Sequence, residues 1–422
     1  MNPILIDPID TLFFRDSIPM SAGQGRGAGA RLPLPSTLHE AFRASLLEKS
    51  GCSGATVAFR PKDAPRNGGW LGKGKSVTSR GSKDFQSLQL SGLFPYLEAD
   101  PKNPQSPAGL FFPLPLDLLF DADNNAHLLA LRPEPSHHHS APLPALAVSP
   151  VPPRKDQPTG FLSARAMESY LQGNLSRISP GDILPWSAFY EPEYRIGVEL
   201  DPASNSAAKG QLYAATHARP HDRFRLAAWV GLKNPTSGEP ERLAKLDRLL
   251  LGGEQRMARL HAQNVSFTPP PLPTLPDEPG PQIIKWTLAS SAVFAHGWLP
   301  GWCRDSEGKN RPDGEVCLKL THGRARLIAV SAGKPMAFAG WDVVEQCAKP
   351  TRLAVHAGAV YYFLCESSAA ARDLATQLHW RPRSDFYGEK GFGYGFASRS
   401  TLSIDPSNPS DLSDLFPTNN PR

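Results

Sequence analysis

The sequence predicts an α+β protein built from two tandem ferredoxin-like (RRM-like, βαββαβ) domains with long loop insertions. Each half of the 422-residue chain can be written as strand, helix, strand, strand, helix, strand. Segments with helical spacing carry end signals, and the segments between them alternate apolar and polar residues between glycines and prolines. We place the boundary near residue 220, which gives predicted domains at residues 1–220 and 221–422.

The first half begins with a strand and a clearly marked helix. Residues 2–13 are apolar around a turn-forming Asp-Pro pair, which is typical of a strand. The stretch PSTLHEAFRASLLEKSG (35–51) has apolar residues at helical spacing, Ser36 or Thr37 as a capping residue, and Gly51 at its end. These signals predict a helix over 35–51.

The rest of the first half reads as short strands, a second helix and a hairpin. We predict strands near 86–93, 109–120 and 126–131, and a helix over SARAMESYLQG (163–173). The stretches EYRIGVEL and GQLYAATHA alternate in a strand-like way, which predicts a hairpin closed across residues 200–209.

Two long insertions interrupt this half. Residues 60–84 are polar, glycine-rich and basic, whereas residues 133–159 are predicted as a proline-rich linker or long loop that contains SHHHS.

The second half repeats the rhythm of strands and helices. We predict strands at 222–232, 255–265, 282–294, 325–333 and 352–366, and helices at 240–252 and 367–380. The order of strands within a sheet cannot be read from this periodicity.

Charge and cysteine content limit the classes of partner. The formal net charge is +5, a mild basic bias that permits a polyanionic partner without requiring one. No apolar run reaches the roughly 18 residues of a membrane span, so we expect no membrane partner. The five cysteines lack a C-x-x-C pair, which favours a reduced, cytoplasmic protein and argues against a cysteine-based zinc site.

The stretch GEKGFGYGFASRS (388–400) imitates two known motifs. It nearly matches the first signature of an RNA-stacking sheet, but it follows a predicted helix rather than lying on a central strand. A dinucleotide-binding loop needs a strand before it and a helix after it, and a Walker loop ends in Gly-Lys-Ser/Thr, so neither enzyme motif fits. The open alternatives are a tight turn with core aromatic residues and a loop whose glycines let backbone N–H groups approach phosphates.

Seven stretches occur in order along nearly the whole chain. They are IDPIDTLFFRD (6–16), PLPSTLHEAFR (33–43), LFFPLPLDLL (110–119), YRIGVELD…KGQLYAATHAR (194–219), LLLGGEQRMARL (249–260), AGWD…KPTRLAVHAGAVYYF (339–363) and GEKGFGYG. Together they resemble the RAMP-superfamily subunit of type III-B CRISPR effector (Cmr) complexes that caps the 5′ handle of the guide RNA. Ile18 departs from this pattern, which has a basic residue there.

The resemblance implies a non-catalytic subunit that binds CRISPR guide RNA (crRNA) at its 5′ handle. It also implies contacts with a large polymerase/cyclase-like signalling subunit and with a backbone RAMP subunit, and only indirect contact with target RNA. It implies no cofactor. In such a subunit the basic 60–84 insertion is a candidate thumb that kinks the guide near its first bases.

Candidate RNA-binding residues lie in three places. The first is the N-terminal loop and helix, where guanidinium groups and a helix start suit phosphate oxygens. The second is the Gly-Gly-Glu segment, where the alternative is an ion pair with Glu254, and the third is the C-terminal glycine-rich loop. The residues are Arg15, Arg26, Arg31, Ser36, Thr37 and Arg43, then Arg256, then Lys390, Gly391, Phe392, Gly393, Tyr394, Gly395 and Arg399.

Two further classes of function stay open at this point. A metal-independent endoribonuclease that cuts precursor crRNA would use a general base such as His39. A scaffold would bind protein partners alone. The three histidines at 137–139 lack metal-ligand spacing, so we predict a solvated loop and no metal site there.

Overall fold

The protein is represented by a computed structural model. It describes residues 1–14, 33–49, 87–133, 143–200, 204, 206–262, 265–304, 315–316, 318, 320–339, 341–342, 347–348 and 350–400. Within these ranges the chain has mostly antiparallel sheets and few helices. The predicted α+β class is therefore confirmed.

The strands fall into two groups along the chain. The first group is β1 (Asn2–Pro8), β2 (Leu88–Leu97), β3 (Gly109–Pro113), β4 (Leu118–Phe120), β5 (Ala126–Leu128), β6 (Ala130–Pro133), β7 (Ala145–Val148), β8 (Phe161–Ser163), β9 (Ile183–Leu184), β10 (Tyr190–Leu200), β11 (Ala207–Pro220), β12 (Phe224–Leu232), β13 (Arg248–Leu250) and β14 (Met257–His261). The second group is β15 (Gln282–Leu288), β16 (Cys303–Arg304), β17 (Glu315–Val316), β18 (Ala325–Ser331), β19 (Met336–Phe338), β20 (Trp341–Asp342), β21 (Cys347–Ala348), β22 (Arg352–Ala354), β23 (Val360–Cys365) and β24 (Gly395–Arg399). The described α-helices are α1 (Pro35–Lys49), α2 (Ala164–Leu171), α3 (Glu239–Ala244) and α4 (Ser368–Leu378).

The first sheet takes strands from both sides of the predicted boundary at residue 220. Its order is β13-β14-β1-β12-β2-β3-β8-β9, and β12 pairs antiparallel with both β1 and β2. The change from the first sheet to the second lies between His261 and Gln282. Strands β12, β13 and β14, which follow residue 220, therefore belong to the first sheet.

β12 occupies the centre of the first sheet because it is apolar on both faces. Leu226 and Ala228 pack with α1 on one face, while Ala227 and Trp229 enter a different core on the other. A strand buried on both faces needs neighbours on both edges and cover on both sides. Periodicity alone does not say which strands supply them.

The segment predicted as one helix over 240–252 is instead α3 followed by β13. Leu249 is buried in the core beside α1, whereas Arg248 and Leu250 on either side are exposed. This alternation, together with pairing to β14, makes the segment an edge strand. The helical prediction was wrong here because burial of Leu249 overrides local helix propensity.

The second sheet has the order β16-β17-β18-β23-β15-β24. One face packs on α4 through side chains such as Trp286 and Leu374. The other face is covered by the β6–β7 pair, whose Leu131 and Ala145 contact Tyr362 and its neighbours. The prediction of a linker or long loop over residues 133–159 was therefore wrong for Ala145–Val148, which form β7.

A fully buried polar group joins the two sheets. Asp117 accepts hydrogen bonds from the hydroxyls of Tyr170 at 2.6 Å and Tyr362 at 3.0 Å, and from the ammonium of Lys285 at 3.2 Å. Thr287 lies 3.0 Å from the Tyr170 hydroxyl. The group includes side chains from α2 and from two strands of the second sheet, so it fixes α2 against that sheet.

Candidate nucleic-acid interface

The C-terminal glycine-rich loop packs against the start of α1 and against β2. Gly388–Lys390 form one 3₁₀ turn, and Gly391 then has φ of 101°. A Cβ on Gly391 would lie 3.1 Å from the Cβ of Pro35. Gly393, with φ of 73°, leaves no room for a Cβ against the backbone of Ser384. These glycines allow close packing inside the protein.

The backbone donors of this loop are used within the protein. The N–H groups of residues 390–394 all donate to protein acceptors, at distances of 2.9 to 3.3 Å. Gly393, for example, donates to the carbonyl oxygen of Ser291. Residues 390–394 therefore present no row of free N–H groups to a phosphate.

The aromatic residues of the loop lie in the core. Phe392 and Tyr394 are buried, and the Phe396 ring stacks on Trp380 at 5.2 Å and meets Phe112 of β3 edge-on at 5.1 Å. In this conformation these rings cannot stack on a nucleobase. The tight-turn alternative describes their environment.

Lys390 forms an ion pair with α1. Its ammonium donates to the Glu40 carboxylate at 2.6 Å, and its side chain is 14% exposed against 45% for Glu40. Partial burial opposes ionisation of Glu40, but the neighbouring His39 ring and the charge of Lys390 outweigh it, so the pKa of Glu40 lies well below its ordinary value. The Lys390 charge is thus compensated.

Some of the residues on α1 that were predicted to bind RNA are buried inside the protein. The helix begins at Pro35, so Ser36 and Thr37 lie in its first turn rather than preceding it as caps. Arg43 and His39 are buried, and the His39 Nε2 atom lies 3.3 Å from the carbonyl oxygen of Leu88. Neither side chain reaches solvent in this conformation.

The remaining predicted cations in the described chain are also paired. Arg256 binds Asp10 at 2.9 Å and Glu254 at 3.1 Å, as the ion-pair alternative expected for Glu254. Arg399 binds Glu278 through both terminal nitrogens. The structure therefore does not gather these residues into one open basic surface.

Other predicted sites fall outside the described residues. These are Arg15, Arg26 and Arg31, the basic insertion at 60–84, and the three histidines at 137–139. The structure leaves these predictions as they stand.

Neither a metal-ligand cluster nor a membrane-spanning helix occurs among the residues that the structure describes. Its histidine, cysteine and acidic side chains form no group of three or more that is close enough to hold a metal ion. None of its helices is both long enough and apolar enough to cross a membrane.

The clearest exposed surface is one that the sequence analysis did not select. Strands β10 and β11 form a separate two-stranded hairpin. On one of its faces Tyr194, Ile196 and Val198 are 78%, 76% and 42% exposed. We call these three side chains the apolar stripe. An exposed row of large apolar side chains on a projecting element marks a contact with another molecule.

Sequence reasoning located the hairpin but not its exposed face. Alternation identifies two faces of a strand without saying which one is buried, and apolar residues are by default assigned to the core. One signal was present in the sequence, because the charged residues Glu193 and Arg195 alternate with the apolar stripe. In the structure these two side chains form a hydrogen bond of 2.7 Å. On the Glu193 face of the hairpin, Ala215 and His217 are buried, whereas the apolar stripe on the opposite face is open to solvent.

These features define an α+β protein of two antiparallel sheets with a projecting hairpin. Residues 4–398 match the CRISPR-associated protein (Cas_Cmr3) family, and the chain belongs to that family. It is thus a CRISPR-associated protein of the type III-B Cmr complexes, as the resemblance predicted. No curated protein matches the chain.

Several solved structures are similar to it. A chain of the type III-B Cmr-beta complex bound to cognate target RNA is 13% identical with a TM-score of 0.46, and the match covers 92% of this chain and 95% of that one. A chain of the same complex bound to cognate target RNA and AMPPnP is 14% identical with a TM-score of 0.45, and the match covers 93% of this chain and 94% of that one. A chain of the Csm3–Csm4 subcomplex of the type III-A CRISPR–Cas interference complex is 10% identical with a TM-score of 0.36. That match covers 87% of this chain and 94% of the other.

Proposed function

We propose that this chain is a non-catalytic crRNA-binding subunit of a type III-B CRISPR effector complex. In this role it grips the 5′ handle of the guide and bridges the large signalling subunit to the backbone RAMP subunits in antiviral defence. Family membership supports the class of complex, and the exposed apolar stripe on the hairpin is the observation that supports RNA contact.

The hairpin suits unpaired bases better than paired ones. Unstacked bases present flat π-faces, and proteins bind them by stacking aromatic and apolar side chains against those faces. Tyr194 supplies an aromatic ring and Ile196 a flat aliphatic surface, both well exposed. The stripe itself has no charged side chain, and the nearby Arg195 and Arg219 are paired with Glu193.

The face of the first sheet that an RNA-recognition domain would use for stacking is occupied. Trp229 of β12 packs against Trp380 at 5.0 Å and against Phe267 at 4.9 Å. Side chains from after residue 262 therefore cover this face. We infer that RNA is bound by loops and the hairpin rather than by the sheet surface.

The strand orders support two tandem ferredoxin-like units. In the first sheet β14-β1-β12-β2, and in the second β24-β15-β23-β18, follow the 4-1-3-2 order that a split βαβ arrangement produces. We propose units at about residues 1–262 and 282–400 in place of a division at 220.

The predicted basic residues of the N-terminal loop stay part of the proposal. Arg15, Arg26 and Arg31 would supply phosphate contacts, which position a guide without reading its sequence. Lys390 and Arg256 are assigned instead to intramolecular ion pairs.

The burial of His39 weighs against the endoribonuclease alternative. A general base must come within hydrogen-bond reach of the proton it removes, and His39 is fully buried on α1. Metal-independent cleavage of repeat RNA by the purified chain, abolished in His39→Ala, would support the alternative.

The test is guide-RNA affinity measured by fluorescence anisotropy with the full chain. We expect the double variant Tyr194→Ala/Ile196→Ala to bind about tenfold more weakly, since one stacked base contributes roughly 1–3 kcal/mol. Phosphate contacts should make the affinity of the native chain fall steeply with salt. A guide lacking the 5′ handle should bind less tightly than the complete guide.

The matched control is Leu250→Ala/Leu353→Ala, which removes two other exposed apolar side chains. This variant should bind like the native chain. Unchanged affinity in the Tyr194→Ala/Ile196→Ala variant would contradict the RNA role of the hairpin. An affinity without salt dependence, or no affinity, would favour the protein-only scaffold.

A further inference from the structure

A compact charged cluster lies where the hairpin joins the first sheet. Asp10, in the turn after β1, lies 3.8 Å from Arg195 of β10, 3.4 Å from Arg219 of β11 and 2.9 Å from Arg256. Glu193 and Glu254 complete the group. We call these six residues the base cluster.

The base cluster is balanced in charge. Three carboxylates face three guanidinium groups, so none of the arginines is left over for an external anion. Hydrogen bonds from Arg219 and Arg195 lower the pKa of Glu193 to about 2. For Asp10, the hydrogen bond from the Thr11 backbone and the three arginines together lower the pKa against some desolvation. Both carboxylates are therefore ionised at neutral pH.

Outside the base cluster, the hairpin is held at the ends of its strands, where Tyr190 and Ala218 pack with the core beside α1. β10 and β11 pair with each other as a separate sheet, and the hairpin meets the segment after β1 through a backbone bridge between Leu12 and Ala218. Beside this bridge His217 stacks on Phe13 at 4.9 Å and lies 3.2 Å from the Thr11 hydroxyl. An isolated two-stranded hairpin is only marginally ordered in water. Its orientation must be set at its base.

Asp10 has the geometry to set that orientation. It lies outside the hairpin, yet it binds an arginine from each hairpin strand and a third arginine that precedes β14. Three contacts on three segments constrain the angle of the hairpin more tightly than the backbone bridge and the core contacts at its base do alone. Removing the carboxylate would also leave three guanidinium groups close together with two carboxylates.

We propose that Asp10 is a positioning residue that holds the hairpin, and with it the apolar stripe, at a fixed angle to the first sheet. The consequence for RNA rests on the proposed function. Because a preorganised contact surface loses less entropy on binding, a hairpin that swings freely should bind the guide more weakly even with its own side chains intact.

The test is the distance between spin labels at Ser204 near the hairpin tip and at Lys102 after β2, both exposed. Native protein should give one narrow distance distribution by double electron–electron resonance. Asp10→Ala should broaden and shift it, and Asp10→Glu should restore it. The control is Glu278→Ala, which releases Arg399 of β24 in the same way without touching the hairpin. It should leave the distribution narrow.

Guide-RNA affinity is measured on the same variants without labels. Asp10→Ala should weaken binding about tenfold at an unchanged unfolding temperature. If the distribution broadens while affinity stays the same, the positioning role holds and the RNA role of the hairpin fails. If the Asp10→Ala distribution matches that of the native chain, the positioning role is wrong whatever the affinity.

Discussion

At the residue scale, the C-terminal glycines are explained by the space around them. Gly391 and Gly393 both have positive φ, and both lie within contact distance of other parts of the backbone or of α1. A side chain at Gly393 would have two costs: the left-handed backbone conformation and the overlap with Ser384. Sequence alternation of glycine and aromatic residues alone does not separate this packing role from a ligand-binding one.

Gly393→Ala should therefore destabilise the protein more than the same substitution at a glycine that also has positive φ but has open space around its Cα. Gly173 is that control, because its φ is 77° and an added Cβ meets no atom within 4 Å. We expect a loss of about 1 kcal/mol for Gly173→Ala and about 3 kcal/mol for Gly393→Ala. Urea unfolding measures both values. Equal losses would show that the overlap with Ser384 is relieved at little cost.

At the element scale, the Glu40–Lys390 pair attaches the glycine-rich loop to α1. It bridges residues 350 positions apart and joins the two halves of the chain. A half-exposed pair contributes only modestly to stability, typically below about 1 kcal/mol. Its effect should nevertheless be visible in the pH dependence of unfolding.

Glu40→Gln should lower stability at neutral pH and have little effect in strong acid. The pKa of Glu40 is depressed in the folded state, so its contribution is complete above the unfolded value of 4.5 and is lost as pH falls toward the folded value. The measurement is the difference in unfolding free energy between variant and native chain from about pH 7 to pH 3. A difference that grows on acidification would contradict the assigned sign.

Most helices were predicted from the sequence because their signals are local. Ser163 and Ser367 cap α2 and α4 by accepting hydrogen bonds from N–H groups three residues on. The predicted spans of α1, α2 and α4 differ from the observed ones by no more than two residues at either end. Strand neighbours depend on contacts between distant segments, which is why the placement of β12 was missed.

The candidate site was predicted less well than the fold. Arginine and lysine indicate phosphate contact only when their charge is free, and Lys390, Arg256 and Arg399 have carboxylate partners that are distant in the sequence. Glu40 and Asp10 lie about 350 and 246 positions from the cations they bind. No local sequence pattern indicates ion pairs between residues so far apart in the chain. The exposure of the apolar stripe was missed because an alternating pattern does not show whether another element covers a given face of a strand.

At the scale of the whole molecule, the two sheets are held together by buried groups as well as by packed rings. Phe396 of β24 enters the core of the first sheet, and the buried polar group around Asp117 lies between α2 and the second sheet. Burial lowers the pKa of Lys285 while the charge of Asp117 opposes that change. The Lys285 ammonium also lies 3.7 Å from the centre of the Tyr170 ring. Such a group stabilises the junction only when it is complete.

Lys285→Met should therefore be strongly destabilising, because it leaves the Asp117 carboxylate buried without its cation. Removal of one partner of a buried ion pair typically costs about 3–5 kcal/mol. Adding Asp117→Asn should recover part of this loss, since the amide oxygen still accepts from Tyr170 or Tyr362 and no buried charge is left. Urea unfolding of the native chain, both single variants and the double variant gives the coupling between the two residues.

The surface pair Arg399–Glu278 provides the comparison for this cycle. Glu278→Gln breaks an ion pair whose side chains are 34% and 49% exposed, so it should change stability by less than about 1 kcal/mol. If Lys285→Met costs no more than Glu278→Gln, the Asp117 carboxylate must take up a proton or water in the variant, and the junction does not depend on the charge of Lys285. If the double variant is less stable than Lys285→Met alone, the loss comes from the hydrogen bonds of Asp117 and not from its unpaired charge.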